Sequence, residues 1–227
     1  MLKFLTETQL EELRKIDTPT VANAVEKHST RKNTEGFMGY NIACQFPDLG
    51  IMVGQAVTAT FNTTTTGKPR SRNVWHQCLR SIDAMPVPVV IVAKDVGPRA
   101  LHGCHFGDSM ANVSKRVGAI GLVTDAGVRD AETVHDMGFH YFSPGMVPAH
   151  GNFGLDETGG PVEVSGVVVN EGDVIHADSN GVVAFDPDLA DFVINEAKKV
   201  WKTEGDEFDW VNTEDFTLDK YIEMKES

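Results

Sequence analysis

Residues Val87 to Ala93 read VPVVIVA, without one polar or charged side chain. A run this short and this apolar, bounded by polar segments, is the pattern of a strand buried on both faces. Such a strand needs cover on two sides, and segments of helical pattern flank it at Val74 to Asp83 and Gly107 to Val117. Gly54 to Asn62 (GQAVTATFN) alternates and is rich in β-formers, so it reads as a strand. Ala119 to Thr124 reads as a further strand, followed by a helix from about Asp130 to Met137 and a short strand at Phe139 to Ser143. Strands and helices in this order predict a mixed α/β core.

The two ends differ from that core. Thr6 with Gln9 fits a capping box, and Leu10, Leu13 and Ile16 give the helix behind it an apolar stripe. Thr18 is read as the N-cap of a second helix, with Pro19 at its first position, running to about His28. Residues 29–50 and 62–73 read as loops, the second carrying Lys68, Arg70 and Arg72. Asp95 to Phe106 reads as a glycine-rich turn. Pro161 to Asn170, Val174 to Ala177 and Val182 to Phe185 read as short strands joined by tight turns. Asp186 and Pro187 then open a helix read to about Trp201. The expected organisation is one domain over residues 1–202 and an acidic extension over 203–227.

Thirty-three acidic residues oppose twenty basic ones, a net charge of −13. The stretch from Trp201 to Ser227 holds nine acidic and three basic residues, nearly half of that excess. Such a balance argues against gripping nucleic acid or an anionic membrane through a broad basic surface. Cys44, Cys78 and Cys104 are too few and too scattered for a disulfide framework, and no run approaches the ~20 apolar residues of a membrane span. A cytoplasmic protein acting on a small molecule is the expectation.

Two clusters carry chemistry. Gly107-Asp108-Ser109-Met110 opens a helix, where free N–H groups and the dipole favour an anion. The competing structural role is that Asp108 caps that helix. Thr124-Asp125-Ala126-Gly127-Val128-Arg129-Asp130 follows a buried strand, where α/β proteins place ligands. Arg129 offers a planar fork to a carboxylate, and Asp130 a hard oxygen to Mg²⁺ or Mn²⁺. The competing roles are a surface pair between Arg129 and Asp125, with Asp130 capping the next helix. His102-Gly103-Cys104-His105 has no partner pair to make zinc spacing, and Cys104 has no evident base.

Taken together, Asp108, twenty intervening residues and then Arg129-Asp130 resemble the signature of the 4-hydroxy-4-methyl-2-oxoglutarate aldolase family, which also contains the regulator of ribonuclease E activity A. Gly118 to Asp125, Gly138-Phe139, Gly166 to Val169 and Ala177-Asp178 through Val183 agree with it. The resemblance covers roughly residues 15–200. It implies a swivelling β/β/α sandwich fold, assembly as a homotrimer or a dimer of trimers, and a Mg²⁺- or Mn²⁺-dependent aldolase acting on pyruvate-bearing acids, with oxaloacetate decarboxylation as a related activity. Carried over, Arg129 binds the substrate carboxylate, Asp130 ligates the metal, Asp108 holds a metal-bound water, and the amides of Gly107, Asp108, Ser109 and Met110 bind substrate oxygens. Ala126 stands where the family more often has glycine, which should alter the turn. An acidic residue from a neighbouring subunit is also implied, with Glu204 and Glu207 as candidates. The alternative is a protein-binding regulator of ribonuclease activity without turnover. Methyl transfer lacks its glycine-rich nucleotide loop.

Overall fold

The computed structural model describes residues 2–28, 32, 34–63 and 72–226. The chain runs α1 (Glu7–Leu13), α2 (Thr18–Glu26), β1 (Ala43–Cys44), β2 (Met52–Asn62), α3 (Asn73–Asp83), β3 (Val89–Asp95), β4 (Cys104–Phe106), α4 (Asp108–Arg116), β5 (Ala119–Thr124), β6 (Gly127–Val128), α5 (Ala131–Asp136), β7 (His140–Ser143), β8 (Gly154–Thr158), β9 (Val162–Val164), β10 (Val167–Val169), β11 (Val174–Asp178), β12 (Gly181–Phe185), α6 (Ala190–Val211) and α7 (Leu218–Glu226).

A mixed sheet of eight strands organises the molecule in the order β1-β7-β5-β3-β2-β11-β12, with β8 also on β2. Strands β2, β3, β5 and β7 are parallel, while β11 and β8 run antiparallel along opposite ends of the eleven-residue β2. The apolar run is β3, and its alternation shows why both faces are apolar. Val89, Ile91 and Ala93 join a core with Phe61, Phe106, Leu122, Phe139 and Tyr141, against which residues of α3, α4 and α5 pack. Val90 and Val92 face the other way, into a core with Phe142, Ile175 and four of the five valines of the β9–β10 hairpin. A third core joins α1, α2 and α6 to Val53, Val174, Val183 and Phe185. The strand starts at Val89, two residues later than predicted. Pro88 has no N–H for the ladder, and its carbonyl instead accepts from Gln55 N at 2.9 Å.

The predicted capping box at Thr6 and Gln9 forms in both directions. The cap of α2 differs from expectation. It is Asp17, whose Oδ1 accepts from Thr20 N at 2.9 Å, because the hydroxyl of Thr18 is drawn instead to the buried His176, Nδ1 at 3.0 Å. The stretch 161–170 is a hairpin of two three-residue strands, not one strand, and turns at Ser165-Gly166, both at positive φ.

Helix α6 continues ten residues past Trp201, through the 202/203 boundary, without a break. Nothing in that stretch stops a helix except Gly205, which costs only about 1 kcal/mol, and Lys202 pairs with Asp206 one turn on at 3.0 Å. The strands β1, β4, β6 and β8 and the helix α7 are not among the expected elements. No helix among the described residues is long and apolar enough to cross a membrane.

Candidate functional site

The site forms where β3 and β5 end. Beyond β5, the Thr124 hydroxyl accepts from Ala126 N at 3.1 Å and tightens the turn. Ala126 is fully buried and absent from the residues of positive φ, so this position does not need glycine for its backbone. Asp125 does not pair with Arg129. Its Oδ2 lies 2.6 Å from Lys94 Nζ and its Oδ1 accepts from Asp95 N at 2.8 Å, which ties the ends of β3 and β5 together. Burial works against the Lys94 charge, but this carboxylate outweighs it and raises the Lys94 pKa.

The next residues pair with an element the sequence concealed. β6 runs parallel to β4, and Arg129 N donates to Phe106 O at 3.1 Å. This small ladder brings the two predicted clusters together. Asp130 is left-handed, φ 59° and ψ 40°, a conformation that Asp tolerates better than most residues and that concentrates at functional sites. It does not cap α5 with its side chain. Its Oδ2 instead accepts from Asp108 N at 3.1 Å, at the start of α4, and lies 3.2 Å from Arg129 Nε.

Gly107 is the N-cap of α4 and has no side chain to cap it. A Cβ there would lie 2.4 Å from Asp130 Oδ2 and 2.9 Å from Arg129 Nε, so only glycine admits both groups. Asp108 is the first helical residue rather than the cap, and its Oδ1 accepts from Ser109 N at 2.6 Å. Ala111 N donates to Gly107 O at 2.9 Å, which leaves the Met110 amide without a protein partner among the described residues. It is the N–H such a terminus offers to an anion.

Gly107, Asp108, Ser109, Met110 and Arg129 line one cavity of about 170 Å³, and Asp130 contacts two of them. Arg129 and Asp130 keep about a third of their side-chain surface exposed, so both remain open to a ligand. Gly107→Ala should displace the Asp130 carboxylate and lower any turnover at this site by about tenfold or more, since misplacement by about 1 Å is that costly. Circular dichroism should stay native while steady-state rates fall, and unchanged rates would show that the contact does not matter.

Cys104 and His105 line the same cavity, along with His150 and Phe153, which the sequence did not single out. Their available signal was the loop His150-Gly151-Asn152-Phe153-Gly154, where glycines flank a histidine and an aromatic ring outside any predicted element. Burial pushes the Cys104 thiol up, opposed by Arg129, so it is a poor nucleophile. His105 is buried, stacks on Phe61 with ring centroids 3.9 Å apart, and bonds Thr124 Oγ1 through Nε2 at 2.8 Å. His102 instead meets Arg99 in an exposed contact, so the two histidines do not converge. Among the described residues no group of three His, Cys, Asp or Glu side chains could hold a metal ion. Lys68 and Arg70 lie outside the described residues. Glu204 and Glu207, the candidates for a neighbouring subunit's site, lie on α6, where Glu207 pairs with Lys225 at 2.6 Å. Lys115 is exposed on α4 and contacts Met137 O.

Burial lowers the His105 pKa to about 4. In the unfolded chain the ring takes its proton near pH 6.5. Between those values the unfolded state binds more protons, so stability falls as pH drops from about 6.5 to about 4. The urea midpoint should therefore be lower at pH 5 than at pH 7, and His105→Gln should narrow the gap. An unchanged gap would assign the pH dependence to other groups.

Comparison with known proteins places the chain in a family. Residues 18–184 match the RraA-like model described as Aldolase/RraA. Protein DlpA of Legionella pneumophila is 28% identical over 140 residues, which span 60% of this chain but only 22% of that protein. An uncharacterized protein of Methanocaldococcus jannaschii is 28% identical over 68% of this chain and 70% of its own. A protein of Halalkalibacterium halodurans, provisionally named 4-hydroxy-4-methyl-2-oxoglutarate aldolase, is 29% identical over 52% of this chain and 55% of its own. Among solved structures, an uncharacterized protein of Pseudomonas syringae pv. tomato superposes with a TM-score of 0.76 at 24% identity, covering 97% of this chain and 95% of that one. Streptomyces coelicolor RraAS2, described as an unusual member of the RNase ES inhibitor RraA family, gives 0.72 at 20% identity, covering 91% and 98%.

Proposed function

Because the chain belongs to the Aldolase/RraA family, which contains both aldolases and RraA regulators, we propose that it is a divalent-cation-dependent lyase that releases pyruvate from a 4-hydroxy-2-oxo dicarboxylate. Oxaloacetate decarboxylation is the related activity proposed for the same site. The single observation that carries this is the convergence of Arg129 and the α4 N-terminus on one cavity, with the Asp130 carboxylate held against both.

The donor set suits a hard cation. Its protein donor is the Asp130 carboxylate, and Mg²⁺ is commonly held by one or two carboxylates while it keeps several waters. Asp130 would hold it. Both protein contacts of this carboxylate go to Oδ2, leaving Oδ1 for a cation. When bound, the cation supplies Lewis-acid stabilisation for the negative charge that develops on the 2-oxo group.

The remaining work falls to side chains and amides. Arg129 binds the C1 carboxylate through charge-assisted hydrogen bonds and fixes its plane. The Met110 amide at the start of α4 receives an oxygen of the same group, and the helix dipole favours its charge. Asp108 Oδ2, left over when Oδ1 accepts from Ser109, holds the water through which the 4-hydroxyl loses its proton. The 4-oxygen then collapses to a carbonyl on the departing fragment as the C3–C4 bond breaks, the bond's electron pair passes to C3, and protonation there gives pyruvate.

Pyruvate release from 4-hydroxy-4-methyl-2-oxoglutarate or oxaloacetate, coupled to lactate dehydrogenase, tests the proposal. Activity should vanish with EDTA and return with Mg²⁺ or Mn²⁺. Turnover that EDTA leaves untouched would sink the cation requirement. Absence of turnover on a panel of 2-oxo acids, joined with capture of a ribonuclease, would favour the regulator. Assembly as a homotrimer or a dimer of trimers belongs to the same proposal, and light scattering tests it.

A further inference from the structure

The small cavity does not end at Met110. A second cavity, of about 590 Å³, shares Ser109, Met110, His150 and Phe153 with it. Arg72 and His76 also line it. They stand four residues apart at the start of α3, and His76 N donates to Arg72 O at 3.0 Å, so the first helical turn sets both backbones on one face. The α3 N-terminus adds its own positive end. In a chain of net charge −13, no acidic residue lines this cavity among the described residues. Trp75, Met110 and Phe153 give it apolar walls between the Arg72 guanidinium and the imidazoles of His76 and His150.

We propose that this second cavity binds the distal carboxylate of the substrate whose 2-oxo acid head lies against Arg129, with Arg72 as the principal specificity-determining residue and His76 and His150 supporting it. The proposal rests on the lyase reading for the head group. Guanidinium is the side chain best shaped to take a carboxylate in two parallel bonds. The apolar walls suit the carbon skeleton between the two carboxylates, and the shared residues keep the path from one cavity to the other continuous. A substrate with one carboxylate uses only the smaller cavity and gains nothing from Arg72.

Calorimetric titration with Mg²⁺ present would compare 2-oxoglutarate, which carries a distal carboxylate, with 2-oxobutyrate, which does not. Wild type should bind 2-oxoglutarate about tenfold more tightly or better, a single charge-assisted contact being worth that much. Arg72→Met should erase the preference while leaving 2-oxobutyrate unchanged, and His150→Gln should reduce it in part. Retention of the preference by Arg72→Met, or no binding of either acid to wild type, overturns the proposal. The two proposals fail separately. Charge discrimination without pyruvate release removes the lyase and keeps the pocket, whereas pyruvate release without discrimination removes the pocket and keeps the lyase.

Discussion

Asp130→Asn lowers kcat/KM for pyruvate release by about 100-fold or more, the scale expected when a carboxylate that holds a catalytic cation loses its charge. Asparagine is the informative replacement. It tolerates the left-handed backbone at φ 59°, and its amide oxygen can still accept from Asp108 N. Folding and the start of α4 should therefore survive while the hard anionic donor disappears. Asp130→Ala also removes the acceptor for Asp108 N. Activity of the Asn variant would be expected to need far more Mg²⁺ for saturation. Near-wild-type rates at limiting Mg²⁺ would remove Asp130 from the cation site.

Arg129→Ala has a comparable effect, about 100-fold or more in kcat/KM, because a charge-assisted contact with the substrate carboxylate is lost. Arg129→Lys should not rescue it, since an ammonium cannot reproduce the planar fork or hold its Nε position 3.2 Å from Asp130. Its signature differs from that of Asp130. The Mg²⁺ requirement should stay close to wild type while KM for the 2-oxo acid rises. Full activity in the Lys variant would assign Arg129 a general electrostatic role instead.

The core strands were readable because burial on both faces leaves an uninterrupted apolar run, as in VPVVIVA, and because helix caps such as Thr6 with Gln9 use short-range chemistry. What escaped depended on partners distant in the chain. β4 is three residues long between glycine-rich turns, and only pairing with β6 makes it a strand. The cap of α2 passed to Asp17 because Thr18 was claimed by His176, 158 residues away. The end of α6 escaped for a different reason: polar, charged residues after Trp201 look like an extension yet stay compatible with helix.

The same division runs through the site. The residue types and the spacing of Asp108 and Arg129-Asp130, together with the net charge of −13, were properties of the sequence alone, and they pointed to a local anion and cation site in an acidic protein. Each competing structural role was equally compatible with those letters, because capping and ion pairing use the same side chains. Tertiary structure decided between them. It gave Asp125 to Lys94, turned the Asp130 carboxylate onto the amide of Asp108, and required glycine at 107 to let it approach. It also brought Arg72 and His150, distant in sequence, to adjoining cavities. A sequence fixes which groups are available and the local turns they favour. Which of them meet depends on strand pairing and packing across long loops, and those contacts exist only once the chain has folded.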